Sequence, residues 1–378
     1  MSETKYWIML FLGYGTINIC LGNETFGTPQ GNTNTSGSSC GCGSSGRTRS
    51  DGQVLQTDEI YYKTTEDYLT NQPRYKFGQA ANVVDGSRRT IQMVEIPGGK
   101  FVMGTNDSRF HDDGETPVRW VEIDTFYMDV HEVSNADFEV FVKANSYETE
   151  AETAGESMVL ERELSAITQS TIFEAVGGTP WWLPVKGASW DHPAGLDSNI
   201  TSRMDHPVVH VSWNDAAAFC SWMGKRLPTE AEWERACRAG KHQRLYSWGN
   251  KFMPNNEYRA NIWQGNFPKE DTGEDGCVGR CPVTSFPANG YGLHNMLGNV
   301  WEWTADWWGT RHSSPLHSNP LGPRTGETKV TKGGSYMCKQ DTCYRYRCGA
   351  RTNNVQDGSG GNVGFRCAAD KLPDYLKN

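Results

Sequence analysis

The sequence predicts an α+β fold with little regular secondary structure, and three observations lead there. The 378 residues include 41 Gly and 14 Trp, a combination in which turns are frequent and large rings fill the interior. Helical signals are confined to three short stretches between residues 134 and 238. From Gly240 onward Gly, Asn, Pro and aromatic residues dominate, which favours turns and short strands over long elements.

The chain opens with Lys5 ahead of an apolar run, Tyr6 to Leu12, and small or polar residues through Gly22. Residues 1–22 read as a signal peptide, too short to span a bilayer. Glu3 offsets Lys5, so a buried strand is the competing reading. A signal peptide places the protein in the secretory pathway. The sequons at Asn23, Asn34, Asn106 and Asn199 are compatible with that. Leu-Lys-Asn at the C-terminus is not an acidic retention signal. No other apolar stretch approaches membrane length, so no membrane span is expected.

Residues 23–89 form a leader, and 23–50 carry Gly, Ser, Thr and Asn with almost nothing apolar, a composition that stays flexible. Within it, Cys40-Gly-Cys42 is too tight to brace a fold. The two thiols suit mixed disulfides with a partner or a local linkage, and the residues favour neither. Of the 11 cysteines, Cys20 leaves with the signal peptide, and the even remainder favours disulfides whose pairing spacing alone does not reveal.

Residues 90–372 contain neither repeat nor linker and read as one domain, with 373–378 as a tail. Ile91 to Gly104 predicts two short strands around Pro97-Gly-Gly, and Val118 to Val130 predicts further strand. Ser134, with Asp137 as its acidic partner, caps a helix to about Ala144. A second helix runs from Asn214 to about Met223. A third follows Pro228, with Thr229 and Glu232 as a capping box, to about Arg238. Cys220 and Cys237 lie on these helices. Net charge is −9 with no Lys/Arg run, which argues against nucleic acid as a partner and leaves room for an acidic groove that takes a basic peptide.

Near the C-terminus stands Gly333-Gly-Ser-Tyr-Met-Cys338-Lys-Gln-Asp-Thr-Cys343-Tyr-Arg-Tyr-Arg-Cys348. Thiols five residues apart do not share a helix face, but on a loop begun by glycines they can meet. The residues leave open a structural disulfide, a redox couple and two ligands for a soft metal. Zinc is disfavoured, because no His-rich or second CxxC partner completes a tetrahedral set.

This segment through Arg351, together with Asn362-Val-Gly-Phe-Arg-Cys-Ala-Ala-Asp370, resembles the formylglycine-generating enzyme (sulfatase-modifying factor) family. So do Pro97-Gly-Gly-Lys-Phe-Val-Met-Gly104, His206-Pro-Val-Val-His-Val-Ser-Trp-Asn214, Gly224-Lys-Arg-Leu-Pro-Thr-Glu-Ala-Glu-Trp-Glu234 and Asn289 to Trp303. The resemblance covers residues 90–372 and implies a compact variant of the C-type-lectin-like (sulfatase-modifying factor) fold. It implies an endoplasmic reticulum oxidase that turns the cysteine of Cys-x-Pro-x-Arg, in unfolded sulfatase polypeptides, into C-alpha-formylglycine with molecular oxygen, thereby activating them. Cu(I) would lie between Cys338 and Cys343, consistent with the preference of soft thiolates, and the client cysteine would be its third ligand.

By the same resemblance, Ser335 and Trp301 sit beside the reaction pocket. Glu156 (where Asp is usual), Ser157, Trp181 and Arg351 occupy groove positions that receive the client. Calcium would be held at one site by Asn261, Ile262, Asp275 and Cys277, and at a second by Asn295, Gly298, Val300 and Glu302, each mixing side-chain and carbonyl oxygens. Cys220 would pair with Cys367 and Cys237 with Cys348. Cys277 and Cys281 depart from the family and suggest a local extra disulfide; Thr342 departs where Tyr often precedes the second active cysteine. The rival readings are a lectin-like, non-catalytic sulfatase-binding paralogue, which has no need of Cys338 and Cys343, and an iron-dependent sulfoxide synthase, for which no supporting His pair is present.

Overall fold

A computed structural model describes residues 91–106, 111–312 and 316–377. The signal segment, the leader with Cys40 and Cys42, and the sequons at Asn23 and Asn34 lie outside the described residues.

The Pro97-Gly98-Gly99 turn joins β1 (Met93–Ile96) to β2 (Gly99–Met103), as the sequence predicts. The two strands do not pair with each other. β1 pairs antiparallel with β4 (Phe126–Asp129), and β2 with β3 (Arg119–Ile123). The crossing from one sheet to the next is close: a Cβ on Gly98 would lie 2.7 Å from the Thr125 nitrogen, and Gly99 has φ +120°. Only glycine accepts that combination.

β1 and β4 form a three-stranded sheet completed by β12 (Ala368–Ala369), and β2 and β3 one completed by β8 (His317–Ser318). A third sheet has the order β10–β9–β7–β11, with β7 at Trp301–Trp307, β9 at Thr328–Lys332, β10 at Arg351–Val355 and β11 at Val363–Gly364. β5 (Glu156–Leu160) and β6 (Trp182–Lys186) pair only with each other.

Helices are short. α1 (Asn135–Asn145) carries the predicted capping box of Ser134 and Asp137, and α2 (Glu150–Ala154) and α3 (Ala166–Gln169) follow. α4 (Trp213–Trp222) starts one residue earlier than the sequence suggests, because Ser212 and Asp215 form a capping box of their own. α5 (Glu230–Arg238) has the expected Thr229 and Glu232 box. No helix among the described residues is long and apolar enough to cross a membrane.

Aromatic rings fill the core. Phe138 stacks on Phe219 at 5.9 Å, and Phe365 meets Phe219 edge-on at 5.4 Å. Trp213, Trp233 and Trp303 are buried, and each indole N–H donates, to Thr304 O, Glu302 and Val211 O respectively; such partners let a buried indole stay in the interior. The expected disulfides are present. Cys220–Cys367 ties α4 to the chain beside β12, and Cys237–Cys348 ties α5 to the segment after Cys343, each with a Cα–Cα distance of 5.6 Å. Cys277 and Cys281 form the local link, 5.9 Å between Cα atoms.

Candidate active site

β9 delivers the chain to Gly333 and Gly334, both with positive φ, and a Cβ on Gly334 would meet the Tyr346 backbone at 3.0 Å. The loop therefore doubles back against its own continuation. Ser335 O accepts the Cys338 N–H at 2.9 Å, and Lys339 O accepts the Cys343 N–H at 2.7 Å. These two turns bring the Cα atoms of Cys338 and Cys343 to 4.7 Å, and the sulfurs are joined. Trp263 N–H, donating to Cys338 O at 3.0 Å, pins the loop from outside. Cys338 is buried and Cys343 is half-buried, so the pair is reachable from one side.

Ser335 is fully buried. Its Oγ accepts from Asn362 Nδ2 at 3.3 Å and from the Met337 N–H at 3.4 Å. Asn362 O in turn accepts the Trp301 N–H at 2.8 Å, so one asparagine holds both residues expected beside the pocket.

Glu156 begins β5 opposite Lys186 and is exposed, while Ser157 turns inward. They line a groove of about 930 Å³ with Phe173, Glu174, Asp357 and Ser359. Its floor is a hydrogen-bonded row. Pro193 O can only accept, so Nε2 of His210 carries the proton and donates to it at 2.9 Å; Nδ1 then accepts from Ser157 Oγ at 2.8 Å, and Ser157 Oγ accepts from Ser359 Oγ at 2.7 Å. Ser359 and Asn362 are three positions apart, at most about 11 Å of chain. The acidic groove and the cysteine loop are thus neighbours.

Burial, reinforced by the Arg280 charge, pulls the His210 ring down to about 3. A folded pKa below the ordinary value of about 6.5 means that the neutral ring stabilises the fold above that pH, and that the contribution is lost as pH falls from about 6.5 towards 3. Urea midpoints should drop over that window, and His210→Gln should lose this part of the slope.

Trp181 and Arg351 lie elsewhere. Trp181 packs edge-on against Phe267 at 5.2 Å, in a cluster with Trp263, Tyr336 and Met337 on the flank of the cysteine loop. Arg351, expected in the groove, is 3% exposed and gives two 2.7 Å bonds to Glu230 and one of 2.5 Å to Gly309 O. Its guanidinium belongs to a buried pair in a different recess, shared with Asp306 and His312. Arg351→Ala should therefore lower stability by about 3 kcal/mol, the lower end for a broken buried pair, since Glu230 keeps only the Lys332 ammonium at 3.5 Å. Chemical denaturation measures this.

The first expected calcium set brings oxygens together. Ile262 O and Asp275 Oδ2 both reach the Gln264 amide nitrogen, the latter at 2.9 Å, so two oxygens already converge on a positive dipole. Asp275 Oδ1 accepts the Cys277 N–H at 3.0 Å, and burial raises the Asp275 carboxyl. The oxygen-only donor set fits Ca²⁺. The second set fits less well: Glu302, its carboxylate, is taken up by Arg366 at 2.7 and 2.8 Å and by Trp233 at 2.7 Å. Gly298 there has φ +78° and no space for a Cβ against Asn261 O, and Val300 is buried. Asn295 Oδ1 is buried without a hydrogen-bond partner. No group of three or more His, Cys, Asp or Glu placed to hold a metal occurs among the described residues.

The sequence pattern of the sulfatase-modifying factor enzyme 1-like domain matches residues 79–371. The chain belongs to this family. It is 53% identical over 335 residues to the formylglycine-generating enzyme of Mus musculus, covering 89% of this chain and 87% of the relative. It is also 45% identical over 287 residues to the inactive C-alpha-formylglycine-generating enzyme 2 of Bos taurus, covering 75% and 90%. PvdO from Pseudomonas aeruginosa shares the fold, with a TM-score of 0.54 at 24% identity over 74% of this chain and 94% of that one. The sheet-rich sulfatase-modifying factor fold is therefore the one the sequence predicts.

Two residues of this family domain escaped the sequence reading. Asn362 and His210 both stand inside the motifs that carry the resemblance, but their partners are 27 and 53 residues away. A glycine pair ahead of Asn362, at Gly360 and Gly361, was the available hint of a close backbone approach.

Proposed function

We propose that this chain converts the cysteine of Cys-x-Pro-x-Arg in newly made sulfatases to C-alpha-formylglycine, in the endoplasmic reticulum lumen, as a copper-dependent oxidase using molecular oxygen. The observation that carries the reading is the Cys338/Cys343 pair. Two sulfurs stand together on one Gly-initiated loop, one of them partly reachable, next to an acidic groove. Kinship alone leaves activity open, since an inactive relative is 45% identical.

The pair is joined in the structure; reduced, it offers two soft thiolates with no third His, Cys, Asp or Glu converging on them among the described residues. That donor set fits Cu(I). When bound, Cu(I) supplies a thiolate-binding centre able to exchange electrons with oxygen. The protein's own part is positional. Glu156 receives the client arginine, and Ser157 forms the groove floor. Trp181 excludes water on the Tyr336 and Met337 flank, Trp301 belongs to the buried core that includes Cys338, and Ser335, held by Asn362, presents a buried hydroxyl beside Cys338. A Cys-x-Pro-x-Arg segment spans at most about 14 Å from cysteine to arginine, which sets the reach over which one client can engage both the thiols and the groove.

Three disulfides outside the pair support an oxidising compartment. Exposed Asn199, whose Oδ1 accepts the Thr201 N–H at 3.0 Å, offers a sequon for glycosylation. We assign structural Ca²⁺ to the Ile262 and Asp275 oxygens, and mixed disulfides with thiol-bearing partners to Cys40 and Cys42.

Glu156→Gln tests the groove. It should raise KM for a Cys-x-Pro-x-Arg peptide roughly fivefold, a modest loss because an open groove only partly shields the charge pair. Replacing the peptide arginine by leucine should cost wild type as much and the variant little more, since one contact is not lost twice. Additive penalties would make Glu156 an ordinary surface acid.

A further inference from the structure

The Cys277–Cys281 disulfide sits at the mouth of the Asp275 loop, and its two halves differ. Cys281 is fully buried and fixed: its N–H donates to Asn299 Oδ1 at 2.9 Å, and Asn299 Nδ2 donates to its carbonyl at 3.3 Å. Next to it, buried Arg280 donates to Gly361 O at 2.5 Å and pairs with Glu163 at 3.0 Å. Cys277 is half-buried on the outer side, followed by Val278 at 60% exposure. Asp275 lies between Gly273 and Gly276, both with positive φ and joined by a 3.0 Å backbone bond. Glycines on both sides give that turn wide conformational freedom.

The bonds that restrain the carboxylate are few. Asp275 Oδ2 accepts from the Ile262 N–H and Gln264 Nε2, both at 2.9 Å, and Oδ1 accepts from the Cys277 N–H at 3.0 Å. The last donor is only as well placed as Cys277 itself, and Cys277 is anchored to the rigid side of the loop through its sulfur. Asn299 extends the same frame to the cysteine loop, because its N–H donates to Asn261 O and its carbonyl accepts the Tyr336 N–H, each at 2.9 Å.

We propose that the Cys277–Cys281 disulfide is a clamp that holds Asp275 and the Cys277 carbonyl in place for Ca²⁺, and that a dithiol opening it weakens cation binding. The inference rests on the assignment of Ca²⁺ to this loop. Chemically, a thiolate of the dithiol attacks the outer sulfur of Cys277, and Cys281 leaves as thiolate. The second thiol of the reagent then displaces Cys277. The protein disulfide gains two electrons and two protons, and the dithiol closes to its own disulfide.

Calorimetric titration of Ca²⁺ into the chelator-stripped, oxidised protein tests this against Asp275→Asn and the double variant Cys277→Ser/Cys281→Ser. The clamp predicts that the double variant binds roughly tenfold more weakly than wild type, the lower end of the effect of contacts that orient a metal ligand. Asp275→Asn should lose the site. Should the double variant fail to fold, wild type opened by dithiothreitol and alkylated at Cys277 and Cys281, as mapped by mass spectrometry, must show the same weakening. Unchanged affinity without the disulfide, alongside a weakened Asp275→Asn, overturns the clamp and leaves the cation site standing. A wild type that takes up no Ca²⁺, or an Asp275→Asn protein that binds like wild type, overturns the cation assignment and the clamp with it.

Discussion

Replacing Cys343 by serine is expected to abolish aldehyde formation on a client peptide, with turnover falling by more than roughly 100-fold, the upper end of the cost of losing a mere supporting contact. Cys338→Ser should do the same. A two-sulfur Cu(I) site keeps only one soft ligand in either variant, so Cu(I) affinity must fall with activity. The fold should lose less than with either long-range disulfide. Cys338 and Cys343 are five residues apart, and closing so short a loop stabilises by about 2 kcal/mol at most, against about 4.7 kcal/mol for a loop of about 100 residues. Activity lost with the melting temperature largely retained separates a chemical pair from a structural one. Anaerobic Cu(I) titration against a competing chelator, run beside a thermal melt, measures both. Wild-type turnover in either variant would remove the pair from the chemistry.

Cys237→Ser should have the opposite profile. Its disulfide to Cys348 closes a loop with a sequence separation of 111 and ties α5 to the chain leaving the cysteine loop. Removing it should cost about 2–5 kcal/mol, the usual range for a native disulfide of a secreted domain. Cys220→Ser should behave alike, with a separation of 147. Urea unfolding under non-reducing conditions reads the loss, and a change below about 1 kcal/mol would show that the rigid core, not the cross-link, holds α5.

What the sequence disclosed depended on range. Capping boxes at Ser134 and Thr229 are local, and both helices stand where those residues put them. The strands on either side of Pro97 were equally legible, but their partners were not. β1 and β2 join different sheets because Phe126–Asp129 and Arg119–Ile123 compete for them from further along the chain. β5 and β6 were not foreseen. Glu156–Leu160 becomes a strand through pairing with Trp182–Lys186 across an intervening segment.

The site divides the same way. The spacing of Cys338 and Cys343 showed that they can meet, and the structure joins them through two turns. Arg351 looked available only because Glu230 is 121 residues away in sequence. A guanidinium is always charged, so in the interior it takes the carboxylate that the fold provides. Ser157 and Ser335 owe their positions to His210 and Asn362, long-range hydrogen bonds that a pattern of residue types does not encode.

The proposed reaction is formation of formylglycine on a client by the Cys338 and Cys343 pair. Incubating the reduced full-length protein with Cu(I), oxygen and a Cys-x-Pro-x-Arg peptide, then weighing the peptide, tests it most directly. The expected product has lost the cysteine sulfur and two hydrogens and gained one oxygen, reacts with an aldehyde-specific probe, and is formed by wild type and absent with Cys343→Ser. A peptide returned unchanged, or merely oxidised to its disulfide, by the copper-loaded wild type would contradict it.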